Sequence, residues 1–430
     1  MARGFFATVY SADMDTDLVA RLRSTYEDLH AHPELSGDEH RTAGIVAGWL
    51  REQGFDVHEG IGGAGVAGVL SQGDGPTVLL RADMDALPVA EETGLPYAST
   101  VDGVMHACGH DMHVTCLLGA AAELAAARDA WRGTLVVVFQ PAEEIGAGAQ
   151  DMVDDGLYQK VPKPDIVLGQ HVAPIPAGTL GLRPGPSFAS ADTLRVTLFG
   201  VGGHGSRPEA TVDPVLLAAT TTVRLHTVVS REVAGNDTAV LTVGAINAGT
   251  KANIIPDTAE LLLSVRSYTE EVRGRVLGAI ERIVAAEAQA AGAPRPPTVE
   301  RLEAVPAVIN DAAATEPTRR VLESVVGAGR VVDPGLITGS EDVGILAQAA
   351  DVPIVYWLLG GADPAEFSGA ESMEQIVRVV ADLPSNHSPH YHPVPSPTIE
   401  IGVDALVTAA RHWLDSLPGD VEKPGSGSTS

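Results

Sequence analysis

Apolar positions near the start of the chain fall at helical spacing. Leu18, Leu22, Tyr26 and Leu29 recur every three or four residues behind an acidic opening. Ile45, Trp49 and Leu50 mark a second helix, which Gly54 ends. The pattern then shortens. VAGVL, a SQGDGP turn and TVLLRA are brief continuous runs, and TLVVVFQ and DIVLGQ take the same form. Helical stretches lie between them, notably CLLGAAAELAAAR. Continuous apolar strands alternating with helices predict an α/β sheet buried on both faces.

After RPGPSFAS the pattern changes. DTLRVTLFG reads as a strand, DPVLLAATTTVRLHTVV as one helix, TAVLTVGAI and TAELLLSVRSY as strands, and EEVRGRVLGAIERIVAAEAQAAG as a helix. That order suggests a small α+β sandwich inserted into the first domain, with one more strand in TVERLEAV. The α/β pattern returns with PIVYWLLG and a last helix, VDALVTAARHWLDSL. The expected organisation is a first domain in two parts, residues 1–187 and 301–418, an insert at 188–300, and a flexible tail at 419–430.

Polar residues fall at telling places in this pattern. TVLLRA runs into Asp83 and Asp85, TLVVVFQ into Pro141, Glu143 and Glu144, and DIVLGQ into His171. Three strands thus deliver acids or a histidine at their C-terminal ends, the edge where open α/β sheets place ligands. Between the first two strands lies VMHACGHDMHV, with three histidines, an aspartate and one of only two cysteines in 430 residues. In ACGH, Gly109 frees the backbone to turn, so Cys108 and His110 can converge just before a helix starting near Asp111. Glu143 and Glu144 are adjacent, so their side chains are expected to diverge, one toward a metal and one toward its water. SNHSPHYHP adds His387, His390 and His392 as further candidates. Cys108, His110, Glu144, His171 and one of these make too many ligands for a single tetrahedral catalytic ion. They suit two ions held by a bridging thiolate or carboxylate, an arrangement that serves hydrolysis.

Composition narrows the partners. A net charge of −28 argues against nucleic acid, which is bound through Lys and Arg. No apolar run reaches the roughly 20 residues of a membrane helix. The opening MARGFFATVYSADMDTD lacks the pattern of a signal peptide, and two cysteines make no disulfide framework. Cys116 reads as core. The expected compartment is the reducing cytoplasm.

In order, the motifs RADMDALPV, MHACGHDMH, QPAEE, GQHV, GVGGHGSRPE, NIIPD, SVRSY, GSEDV and NHSPHY resemble the aminoacylase/carboxypeptidase family of dinuclear metallopeptidases. The resemblance is to its amidohydrolase branch, with hippurate hydrolase, indole-acetyl-amino-acid hydrolase and N-acetyldiaminopimelate deacetylase. It implies a catalytic domain with a mixed sheet flanked by helices, and an inserted ferredoxin-like lid that also forms a homodimer contact. It implies Cys108, His110, Glu144, His171 and His387 as ligands of two divalent ions, with Zn, Mn, Co and Ni all acceptable to the set. Glu143 matches the general base and Asp85 an orienting carboxylate. Asp83 stands where most of the wider family has a ligand histidine. His204, Asn253 and Arg266 match lid residues that handle the substrate carboxylate and the developing oxyanion, His204 reaching the neighbouring subunit's site. In NHSPHYHPVPSP, His392 and Pro393 follow the aromatic where the branch often has acids.

The implied activity is hydrolysis of the amide of a small-molecule N-acyl amino acid. The runner-up within enzymes is a dipeptidase or carboxypeptidase, and the rival outside them is a metal-stabilised binding protein. A base at Glu143 favours an enzyme, because a binder has no use for one beside the water.

Overall fold

A computed structural model describes residues 14–370 and 372–415. The opening MARGFFATVYSA stretch and the tail expected at 419–430 lie outside the described residues. The chain divides into two compact units: Met1–Gly185, Ile309–Gly335 and Asp342–Ser430 form the larger, Pro186–Val308 and Leu336–Glu341 the smaller.

The larger unit is α/β, with an eight-stranded mixed sheet. Its order is Asp56–Ile61, Gly65–Gln72, Gly133–Gln140, Thr77–Asp83, Ile166–Pro176, Ile354–Ala362, Leu180–Gly181 and Val331–Val332. Thr77–Asp83 lies parallel to both Gly133–Gln140 and Ile166–Pro176, which lies parallel to Ile354–Ala362. Leu22, Tyr26, Val46, Trp49 and Leu50 from the first two helices pack with Val78, Leu80, Val137 and Phe139 of the strands. The helix His110–Ala126 is buried almost all round, which is why its sequence reads as an unbroken apolar run. A Cβ on its Gly119 would meet Val403 Cγ2 at 2.5 Å and Leu22 Cδ1 at 2.8 Å, so glycine lets the helices Thr16–Ala31 and Pro395–Leu414 close on it.

Register puts the polar residues together. Asp83 pairs with Gln140, so these parallel strands end level and Asp85 and Glu143 leave the same edge. His171 corrects the expectation of a strand end, since its strand continues to Pro176. The neighbouring strand stops first: Arg81 opposite Gly169 is their last pair. His171 therefore sits beside the gap that the shorter strand leaves.

The smaller unit has a four-stranded antiparallel sheet, ordered Ala239–Ala248, Thr258–Ser267, Ser190–Phe199 and Thr298–Val305. With helices Pro214–Leu225 and Glu270–Ala290 this makes the β-α-β-β-α-β order of a ferredoxin-like sandwich. The expected boundary at 300 cuts the last of these strands, and the unit runs on to Val308. The single helix expected over 213–229 is two, Pro214–Leu225 and Thr227–Glu232, because His226 closes the first and starts the second. Leu194, Val196, Leu261, Leu263, Val276 and Ile280 fill this unit's core.

Candidate metal centre

The CGH turn sets the first two donors. Gly109 caps the helix His110–Ala126 at φ 81°, a left-handed conformation natural to glycine. A Cβ there would lie 2.5 Å from Val172 Cγ1 and 3.3 Å from Pro393 Cγ, so the turn packs flush on the Ile166–Pro176 strand. Cys108 and His110 come forward on either side of it. One donor atom each from Cys108, His110 and His171 lie within 4.8 Å of one another, as do those of Cys108, Glu144 and His387. Cys108 Sγ is 3.6 Å from His171 Nε2.

Glu143 and Glu144 do not diverge as expected. Glu143 Oε2 lies 3.9 Å and Glu144 Oε1 3.8 Å from the same His110 Nε2. Ala142 takes a positive φ of 52°, and Gly146 N–H closes a turn on Glu143 O, so successive side chains are not on opposite faces as in a strand. The three candidate histidines at the C-terminal end separate cleanly. His387, at φ 70° and tied by its N–H to Ala107 O, stands 3.4 Å from Glu144 Oε2. His390 turns away to Glu92, and His392 to the His390 carbonyl.

Hydrogen bonds aim the rings. Asp85 is buried and accepts from Ser36 Oγ, the Glu144 N–H and His110 Nδ1 at 2.7, 2.9 and 3.1 Å. It therefore orients a histidine and a glutamate together, and leaves His110 Nε2 facing the cluster. His171 Nδ1 donates to the Val172 carbonyl at 2.8 Å, which turns Nε2 toward Cys108. A carboxylate or carbonyl behind a ring N–H is the usual support of a metal-ligating histidine.

The donor chemistry fits divalent cations. Buried His110 Nε2 and Glu144 Oε1 find no hydrogen-bond partner among the described residues. Burial without a partner is costly for such atoms, and an ion between them would remove the cost. Burial pushes the Cys108 thiol up to about 12, so a thiolate there requires a cation. Burial opposes protonation of His110, but the charge of Asp83 and the bond to Asp85 outweigh it and hold the ring's pKa well above its usual range. Burial and then the neighbouring His113 drive His171 well below that range.

Asp83 Oδ2 also reaches within 3.7 Å of His110 Nε2, but its oxygens already have partners. Its carboxylate is taken by Arg81 Nη1 at 2.8 Å and His113 Nδ1 at 2.5 Å, all three residues being buried. Sequence reasoning missed His113, although it lies within the VMHACGHDMHV motif. A helical spacing of three from His110 was the available signal.

In the smaller unit, the strand Gly203–His204 pairs with Ile254–Ile255, and Gly205 N–H bonds the Asn253 carbonyl at 2.9 Å. His204 and Asn253 are thus neighbours. His204 is exposed, and its Nδ1 accepts from Ser206 N–H and lies 2.8 Å from Ser206 Oγ. A backbone N–H can only donate, so Nδ1 carries the lone pair and Nε2 the proton. Arg266 is elsewhere. It pairs with Ala191, eight residues along the strand from Thr258 opposite Phe199. At about 3.4 Å per residue that is roughly 27 Å. Its Nη1 donates to the Thr338 carbonyl at 3.0 Å.

A sequence model described as Peptidase family M20/M25/M40 matches residues 79–386, well over half of the chain. The chain belongs to that family. The M20 relatives include N-acetyl-L-cysteine deacetylase of Bacillus subtilis, 39% identical over 73% of this chain and 74% of its own. Thermostable carboxypeptidase 1 of Saccharolobus solfataricus is 37% identical over 80% and 89%, and hippurate hydrolase of Campylobacter jejuni 44% over 64% and 71%. Among solved structures, Bacillus subtilis YXEP, described as a dinuclear metal-binding M20 peptidase, superposes with a TM-score of 0.76. It is 29% identical and covers 94% of this chain and 100% of its own. Family membership brings the reaction class, metal-dependent hydrolysis of an amide bond.

Proposed function

We propose that this M20 enzyme hydrolyses N-acyl amino acids with Glu143 as general base, Asp85 as orienting carboxylate, and Cys108, His110, Glu144, His171 and His387 holding two divalent cations. The observation that carries the ligand set is the pair of orphaned buried donors, His110 Nε2 and Glu144 Oε1, 3.8 Å apart beside a thiol that burial keeps protonated. When bound, such ions polarise a carbonyl and acidify water. Glu143, less buried than His110 and turned to the same ring nitrogen as Glu144, takes a proton at its carboxylate and returns it to the leaving amide nitrogen. The deacetylase and hippurate hydrolase among the relatives support an acylated amino acid as substrate. The carboxypeptidase relative supports the second reading, a peptide cut at its free-carboxylate end.

Arg266 suits the substrate carboxylate, for which a guanidinium fork is the natural partner. His204 Nε2–H, exposed and fixed as a donor, suits a developing oxyanion, with Asn253 beside it. Arg266 lies roughly 27 Å along its strand from the end where the chain leaves toward the His204 loop, which supports their serving different sites, hence His204 acting on a second copy of the chain. A homodimer through the smaller unit is supported by its unpaired edge strand Ala239–Ala248, with Val240 and Ile246 exposed, and by Leu216 and Val223 exposed on the helix Pro214–Leu225. No helix among the described residues is long and apolar enough to cross a membrane. Two free cysteines suit a reducing cytoplasm.

The test is a hydrolysis screen on metal-stripped protein, with Zn, Mn, Co or Ni added back. N-acetyl, N-benzoyl and indole-acetyl amino acids should be cut once metal returns. Cleavage confined to peptides would favour the second reading, and metal binding with no cleavage of either class would leave a binding protein.

A further inference from the structure

The Thr77–Asp83 strand stops one pair short of the site, and something must satisfy the backbone of the longer strand beyond it. Val172 lies opposite Leu359 in the register of the Ile354–Ala362 strand, but its own N–H and carbonyl face the other flank, into the gap left by the shorter strand. There, the Val172 N–H donates to His113 Nε2 at 2.7 Å. The Val172 carbonyl accepts from His171 Nδ1 at 2.8 Å, Asn386 Nδ2 at 3.3 Å and Tyr391 OH at 3.4 Å. Asn386 reaches on to the Cys108 carbonyl at 3.2 Å. The backbone of one residue is therefore the hub on which His171 and the chain around Cys108 and His387 are hung.

His113 has no lone pair left for a cation. The backbone N–H must donate to Nε2, so Nδ1 carries the ring proton and gives it to Asp83 at 2.5 Å. Asp83 is held in turn by Arg81 Nη1, which also bonds Tyr356 OH at 3.3 Å, while Nε and Nη2 bond Gln140 and Asp342 at 2.9 and 3.0 Å. We propose that His113 is a positioning residue: braced by Asp83 and Arg81, its ring stands in for the missing strand, fixes the Val172 backbone and so sets the His171 ring for its ion. The inference rests on the metal-site reading given above. It assigns a role to the last histidine of the VMHACGHDMHV motif, which that reading left without one.

The experiment compares the wild-type holoenzyme with His113→Leu, His113→Gln and His113→Asn. Each is stripped and titrated with Zn or Co against a chromophoric chelator, and the Co form is examined by absorption spectroscopy. His113→Leu should weaken one of the two ions by about 10–100-fold, the usual effect of removing a group that supports a ligand, and should shift the Co spectrum. kcat should fall with it while KM changes little. His113→Gln offers an acceptor to Val172 and a donor to Asp83 and should restore most of the affinity, whereas His113→Asn is too short to span both. Wild-type affinity and spectrum in His113→Leu would overturn the proposal. So would loss of a whole ion from the stoichiometry of both Leu and Gln variants, which would make His113 a ligand. If the Leu variant does not fold, the Gln and Asn variants decide: equal behaviour of the two overturns the proposal. Wild-type protein that binds no ions would instead overturn the metal-site reading on which it rests.

Discussion

The edge of the larger sheet and the His204 loop of the smaller unit are built on opposite plans. At the edge, Cys108 and His110 are buried, Glu144 and His171 partly so, and His387 is the exposed member of the set. Asp85 alone fixes Ser36, His110 and the Glu144 backbone, and the Val172 backbone is held at both its N–H and its carbonyl. In the loop, His204 is exposed, and one neighbouring serine sets its ring. On the proposed reading the contrast separates two tasks. Groups that must keep fixed distances under mutual charge need burial and several partners each. A group that meets its target only when another surface arrives needs one firm tautomer and open access.

The largest test of this division is at the base. Glu143→Gln should retain metal content, measured by elemental analysis, and lose about 10²–10⁴ in turnover, the range for general acid–base catalysis. Near-normal turnover would remove Glu143 from that role. Next comes the loop. His204→Ala should cost about 10²–10³ in kcat, the loss typical of one oxyanion donor, with metal affinity untouched. Mixing it with Glu143→Gln should recover part of the activity in heterodimers carrying one intact composite site. Exchange of subunits without recovery would show that His204 works within its own chain.

Cys108→Ser probes the buried side. A thiolate shared by both ions predicts weaker binding of the pair, by about 10–100-fold, rather than of one alone. Two tightly held ions in the serine variant would assign the bridge to another group. Arg266→Ala should raise KM by about 10-fold for substrates with a free carboxylate, the loss of one charge-assisted bond, and leave amidated analogues unaffected.

The smallest effect concerns stability. Burial works against a charged His30, but Asp111 at 2.6 Å and Glu91 at 3.3 Å outweigh it and raise its pKa from 6.5 to about 10. A value raised in the folded state contributes fully below pH 6.5 and is lost as pH rises through about 10. Thermal melts should therefore show wild type losing stability over that window, and His30→Gln losing less. Parallel curves for the two proteins would mean the ring is not charged in the fold.

Much of the larger unit was legible in the sequence. Parallel strands buried on both faces appear as short apolar runs, and acids set directly after such runs fall at the sheet edge where ligands bind. The CGH turn was legible because a scarce cysteine stands beside a glycine. What was hidden depends on where strands end rather than on what they contain. Nothing in DIVLGQHVAPIP says that its neighbour stops at Asp83, so the exposed Val172 backbone and the need for His113 could not be read. Glu143 and Glu144 were expected to part because adjacent residues part in a strand, and the positive φ of Ala142 lies outside that rule. The two-residue pairing that joins His204 to Asn253 is too short to leave a pattern.

Gly109 has a consequence for anyone moving this centre to another protein. Its backbone is moulded to Val172 and Pro393, both remote in the chain, with no room for one more carbon on the Val172 side. The tripeptide is half of a lock whose other half lies on a strand and a distant loop. Transplanting CGH into a different scaffold would bring the donors without their seat, and substitutions at position 172 that are harmless in a scaffold lacking the motif would be harmful in one that has it. The inheritance of these three sites should be linked: changes tolerated at any one of them depend on what occupies the other two.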